Sequence, residues 1–116
     1  MAKIRSLYPV ECGPERVVGE LDRLMAEFSV HPLPRNEWSE LAADARWWVD
    51  WQTRKCRQWS LLDVWARATG QPEAVRRAIS SAEHFCSTKA LEFEARAIRY
   101  ERAAAKKAAR QPVGVQ

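Results

Sequence analysis

Residues 72–107 read PEAVRRAISSAEHFCSTKALEFEARAIRYERAAAKK. Along this stretch Val75, Ile79, Ala82, Cys86, Ala90, Phe93, Ala97, Tyr100 and Ala104 recur at intervals of 4, 3, 4, 4, 3, 4, 3 and 4. That spacing keeps one apolar stripe on one side of an α-helix, and it is sustained long enough to predict a single long helix to about residue 107. Pro72 stands in its first turn, where the missing N–H costs nothing, and Ser80 or Ser87-Thr88 mark the places where a break would fall. At roughly 1.5 Å per residue the helix is about 54 Å long, more than the diameter of a domain of this size. A second long element has to cover its stripe.

That element precedes it. From Asn36, a good N-cap followed by Glu37 and Glu40 at the positive end of the helix dipole, neither Pro nor Gly occurs until Gly70. Trp38, Leu41, Ala45, Trp48 and Val49 form one face, Trp47 and Trp51 a second stripe rotated from it, and Leu61, Leu62, Trp65 and Ala68 carry an apolar face onward. The helix runs to about 57 and then continues or kinks at Ser60, where Ser60-Leu61-Leu62-Asp63 has the form of a capping box. Gly70 ends it as a C′ glycine. The short Thr69-Gly70-Gln71-Pro72 link favours antiparallel neighbours, so 37–69 and 72–107 are expected to form a helical hairpin. Further upstream, Val17, Leu21, Leu24, Met25 and Phe28 define an additional N-terminal helix at about 14–28, with Pro14 at its start, while His31-Pro32 and Leu33-Pro34 hold the following link extended. The fold class is all-α: a small helical bundle built on a long antiparallel hairpin.

The chain has 116 residues, 47% hydrophobic and 29% charged, with 4 Gly and 6 Pro, which suits one folded domain spanning 1–116. Residues 1–12 are expected to form an extended arm and 108–116 a frayed tail after the last large apolar side chain. The start lacks a secretory apolar run, and no stretch approaches the 18 or so apolar residues that a membrane span needs. Cys12, Cys56 and Cys86 are odd in number and far apart, which fits a reducing compartment and makes the cytoplasm the expected location.

Charge and tryptophan are both local. Net charge is −2 over residues 1–43, +3 over 44–77, −2 over 78–95 and +5 over 96–116. A hairpin places Arg46, Arg54, Lys55 and Arg57 beside Arg96, Arg99, Arg102, Lys106 and Lys107, making a basic surface; the plainer reading has these groups pairing with Asp50, Glu94 and Glu101. All 6 tryptophans lie between positions 38 and 65. Trp38, Trp48, Trp59 and Trp65 read as core. Trp47 and Trp51 either bury against the 14–28 helix or stay partly exposed, and an exposed pair bordered by Arg is the strongest candidate for an interface hot spot.

Catalytic and ligand-binding patterns are missing. His84 and Cys86 are two apart on a helix and do not face each other, and a zinc site would need Cys12, Cys56, Cys86 and His84 to converge. No metal or cofactor is expected. Glu92, Glu94 and Glu101 lie on a polar helix face and need no catalytic role, and no phosphate loop or nucleophile motif is present. The chain is read as a non-enzyme.

Two resemblances bear on function. Residues 61–79 resemble a bacterial helix-turn-helix segment: Ala66 stands four before Gly70 and Ile79 nine after it, though Gln71 is polar where the motif takes an apolar residue and Val75 is one position early. The likeness implies Gln71, Glu73, Arg76 and Arg77 as groove-facing residues. The opening Met1-Ala2-Lys3-Ile4-Arg5-Ser6-Leu7 is similar to the first residues of phage-encoded replication-initiation proteins, which implies a phage or mobile-element gene. Small size, absent catalytic groups and a basic Trp-rich face give the leading expectation. The chain is a binding protein that docks on a larger host protein or nucleoprotein complex and modulates or inhibits it, in the manner of small phage-encoded inhibitors such as the anti-CRISPR proteins. Its partner-binding residues are then Arg46, Trp47, Trp51, Arg54, Lys55, Arg57, Arg99, Arg102 and Lys106. The alternative is a DNA- or RNA-binding regulator using the basic face or the 61–79 segment. A third reading has the long helix mediating self-assembly.

Overall fold

The computed structural model describes residues 12–110, so the 1–11 part of the expected arm and the 111–116 part of the expected tail lie outside the described residues. Three α-helices account for the described architecture: α1 (Pro14–Val30), α2 (Trp38–Ala68) and α3 (Glu73–Arg110). Among the described residues there is no β-strand.

Helices α2 and α3 form the antiparallel hairpin. Arg46 meets Glu101 at one end of it, Trp48 meets Phe93 further along, and Cys56 and Ser60 meet Glu83 towards the turn. The turn is closed by α2's last carbonyls, with the Gly70 N–H bonding Arg67 O at 3.3 Å and the Gln71 N–H bonding Ala66 O at 2.9 Å. Gly70 takes φ +65°, the left-handed conformation that a C′ residue needs and that glycine adopts without steric cost. Pro72 sits one residue ahead of α3, and its carbonyl accepts from the Val75 and Arg76 N–H groups. Both long helices are continuous. The Ser60 hydroxyl bonds the Glu83 carboxylate on α3 instead of capping a new helix, and neither Ser80 nor Ser87-Thr88 interrupts α3. α3 also runs three residues past the expected end at 107, so 108–110 belong to helix and not to a frayed tail.

Helix α1 packs antiparallel on α2, with Phe28 against Trp48 and Trp51, and Glu27 on Arg54. Pro14 is at N1 of α1 as expected. At the start of α2 the cap is Glu37, without a side-chain hydrogen bond. Asn36 therefore does not serve as N-cap, and the Glu40 carboxylate instead reaches back to the Arg35 N–H at 2.9 Å.

The core is narrow and built largely from small side chains: Ala42, Ala45 and Ala66 on α2, Ile79, Cys86 and Ala97 on α3, Val17 and Leu24 on α1, and Cys12 just ahead of it. Small residues let α2 and α3 approach closely, and among the described residues Trp51 is the one large aromatic that is fully enclosed. The molecule is an elongated body of 75 × 23 × 21 Å. α1 and α3 both rest on α2, yet no Cα of one comes within 8 Å of the other. A trough therefore remains between them, floored by α2.

Candidate binding surfaces

The tryptophan stripe is used mainly inside the molecule. Trp51 is only 3% exposed and its Nε1–H donates to Leu24 O at 2.7 Å, which fixes the indole against α1 and removes it from any partner surface. Trp47 is half-buried, its ring stacked on His31 with centroids 3.6 Å apart. His31 Nε2 in turn lies 2.6 Å from Asp44 Oδ1, so the link after α1 is clamped to α2 by an imidazole between an indole and a carboxylate. Trp48 packs edge-on to Phe28, His31, Trp47 and Trp51 and face-on to Phe93. Of the four expected core tryptophans, Trp48, Trp59 and Trp65 are half-buried. Trp38 is 44% exposed: aromatic contacts from α1 and the link after it fall on residues 47–51 of α2, and among the described residues Trp38 has Tyr100 as its ring neighbour.

The basic groups divide into spent and unspent. Arg46 bridges the hairpin through a two-pronged contact with Glu101, Nη2 to Oε1 at 2.8 Å and Nε to Oε2 at 2.9 Å. Arg54 grips Glu27 of α1 in the same manner and also holds Asp50 at 2.9 Å. Hydrogen bonds from these guanidinium groups hold the Glu27 and Glu101 carboxyls below the usual carboxylate range. Arg46 and Arg54 thus join helices before they can meet a partner. Lys55 turns toward the trough, with Nζ 4.5 Å from the Trp51 ring centre. Arg57 is exposed on the opposite side of the hairpin, where a groove is also lined by Thr53 and Leu91.

The largest group of unpaired cations lies on α3. Arg96, Arg99, Arg102, Lys106, Lys107 and Arg110 are all exposed, and at 3.6 residues per turn they fall within about 140° of the helix circumference. Among the described residues none of the six has a carboxylate within 4 Å. Arg96 lies over the Phe93 ring at 5.1 Å, and exposed Ile98 and Ala95 border Arg99 and Arg102. No periodicity rule isolates these six from the other cations; the signal available in the sequence was their +5 excess and the single acid, Glu101, that Arg46 consumes.

The 61–79 segment forms the hairpin turn. A helix-turn-helix sets its two helices at roughly 90–120°, whereas α2 and α3 run antiparallel from this turn along the hairpin. Gln71 is half-buried at the turn and bonds Thr69, while Glu73 and Arg77 pair with each other at 2.9 Å and Arg76 is exposed.

The trough between α1 and α3 holds a cleft of about 360 Å³ lined by Leu21, Met25, Lys55, Trp59, Ala82, Phe85 and Cys86. Burial pushes the Cys86 thiol above its ordinary value, so it lines the cleft as a neutral group; burial does the same to Cys56, with the Glu83 charge adding to it. Among the described residues no three His, Cys, Asp or Glu side chains converge in the manner of a metal site, and no helix is long and apolar enough to cross a membrane. No known family model matches the chain, and neither does any characterised protein or solved structure with which it was compared.

Proposed function

We propose that this chain is a non-enzymatic docking protein that binds, and modulates or inhibits, a larger cytoplasmic protein or nucleoprotein complex of the host, as small phage-encoded inhibitors do. The observation that carries this reading is the arc of six unpaired cations on the outer side of α3's last 15 residues. Exposed cations held on a rigid helix offer long-range attraction and orientation to an anionic surface, and the neighbouring Ile98 and Ala95 supply a small apolar contact within it. The tryptophan and arginine set expected from the sequence is thereby narrowed: Arg99, Arg102 and Lys106 stay in the site, and Arg96, Lys107 and Arg110 join them. Arg46, Trp51 and Arg54 serve the fold.

A second reading, direct binding of a nucleic-acid duplex through the same arc, rests on the linear spacing of the cations. Single strands fit less well, because Trp51 is enclosed against α1 and half-buried Trp47 has His31 stacked on one face, which leaves little indole surface for base stacking.

The test uses tagged protein and the triple variant Arg99→Glu, Arg102→Glu, Lys106→Glu, which touches no pair that joins helices. The docking reading expects a stoichiometric protein partner in host lysate, retained after nuclease treatment, reconstituted with that partner purified, and lost in the variant with its circular dichroism unchanged. Capture that survives the triple reversal would overturn it. If the eluate instead carries nucleic acid, gel-shift affinity should fall roughly a thousandfold or more between about 50 and 200 mM salt, as expected for six or more phosphate contacts, and the second reading takes over.

A further inference from the structure

The cleft between α1 and α3 is lined on α3 by residues within 82–86, ten residues before the cationic arc begins at Arg96, and is independent of the docking reading. It combines two features. Six of its seven lining side chains are apolar or held neutral, with Met25 52% and Phe85 56% exposed at its rim. The seventh is Lys55, half-buried, with Nζ over the Trp51 ring at 4.5 Å and, among the described residues, no carboxylate within 4 Å. A partly desolvated ammonium is ordinarily paired, and here its one close partner is an indole face, which leaves N–H donors unused. A concave, mostly apolar cavity of about 360 Å³ with a single fixed charge has the build and the lower-end size of a small-molecule site.

We propose that this cleft binds a small amphiphilic carboxylate. Its apolar tail lies along Leu21, Met25, Trp59, Ala82 and Phe85, and its carboxylate accepts hydrogen bonds from the Lys55 ammonium. The charge fixes the class: an uncharged amphiphile leaves Lys55 as it is, and a cationic one meets repulsion. Because the cleft separates α1 from α3, a bound tail joins the two helices that otherwise touch only through α2.

Decanoate, below its micelle concentration, is the probe, titrated into the full chain and followed by the Met25 methyl and the Trp59 indole N–H in NMR spectra. The chain has 2 methionines, so the Met25 signal is readily assigned. Saturable shifts of both signals at one shared Kd are expected. Lys55→Gln should weaken binding about tenfold or more, the worth of a hydrogen bond to a charged group, while Lys55→Arg keeps most of it. Ala82→Trp, which fills the cleft, should abolish the shifts with the circular dichroism spectrum preserved. Decanol or decyltrimethylammonium binding as tightly as decanoate would overturn the proposal, as would indifference to Lys55→Gln. So would absent shifts together with a dimer in sedimentation that Phe85→Glu dissociates, since the occupant is then a second copy of the chain.

Discussion

Trp51 and Gln52 are neighbours in sequence, both buried, and opposite in consequence. The indole N–H of Trp51 has Leu24 O as its acceptor, whereas Gln52, only 7% exposed, has a side-chain Oε1 that accepts from no donor among the described residues. A buried acceptor without a partner costs about 1–3 kcal/mol, so Gln52→Leu is expected to raise the unfolding free energy by about 1 kcal/mol. Trp51→Phe should lower it by about 1–3 kcal/mol, through a lost hydrogen bond and a smaller ring in a closed site. Denaturant titration of both variants measures this; a less stable Gln52→Leu protein would mean that Oε1 is satisfied in solution. Neither environment was fully legible beforehand. The spacing of Trp47 and Trp51 puts them on one side of α2 but does not say which of them α1 covers. Gln52 is polar and so stands outside any apolar pattern, although it lies four residues after Trp48 and seven after Ala45, in line with the stripe.

At the scale of the element, periodicity located all three helices to within three residues, because each carries an apolar stripe that only a helix keeps on one side. What it left open depended on neighbours from elsewhere in the chain. Ser60 can start a helix or sit inside one, and its contact with Glu83 of α3 decided the matter. Trp38 belongs to the stripe of α2 and is exposed nonetheless, since the stripe gives a direction and not the reach of the covering helix. The six unpaired cations were hidden for the same reason: Arg46, Arg54 and Arg99 look alike until Glu101 and Glu27 are seen to take two of them. Backbone geometry gives a sharper test on two glycines. Gly19 lies inside α1 with open space where a Cβ would stand, so Gly19→Ala should stabilise by about 0.5–1 kcal/mol. Gly70 is equally unobstructed but sits at φ +65°, so Gly70→Ala should cost about 1 kcal/mol through left-handed strain alone. Thermal unfolding followed at the helical circular dichroism band compares the two, and melting temperatures moving in the same direction would contradict this account of the turn.

The whole molecule is a thin body whose three helices are tied by two matched clamps, Arg54 on Glu27 joining α2 to α1 and Arg46 on Glu101 joining α2 to α3. Both carboxyls are held below the range they have in the unfolded chain, first by their hydrogen bonds to arginine. A carboxyl with a depressed folded value contributes stability that is complete above its unfolded pKa, about 4.3 for glutamate, and is lost as pH falls through the folded value. Melting temperature should therefore stay level from neutral pH down to about 5 and decline below it, as both clamps protonate and a net charge of +4 at pH 7 grows more positive. The double variant Arg46→Gln, Arg54→Gln removes the cause of the depression. It should melt lower than the parent at neutral pH, decline less steeply with acid, and meet the parent curve where both glutamates are protonated. The pairs are solvent-exposed, so added salt should narrow the gap at neutral pH without removing it, because two-pronged hydrogen bonds persist where bare Coulomb attraction is screened. Parallel curves for parent and variant across the acid range would show that the glutamates titrate independently of their arginines, and that apolar packing on α2 holds α1 and α3 without the clamps.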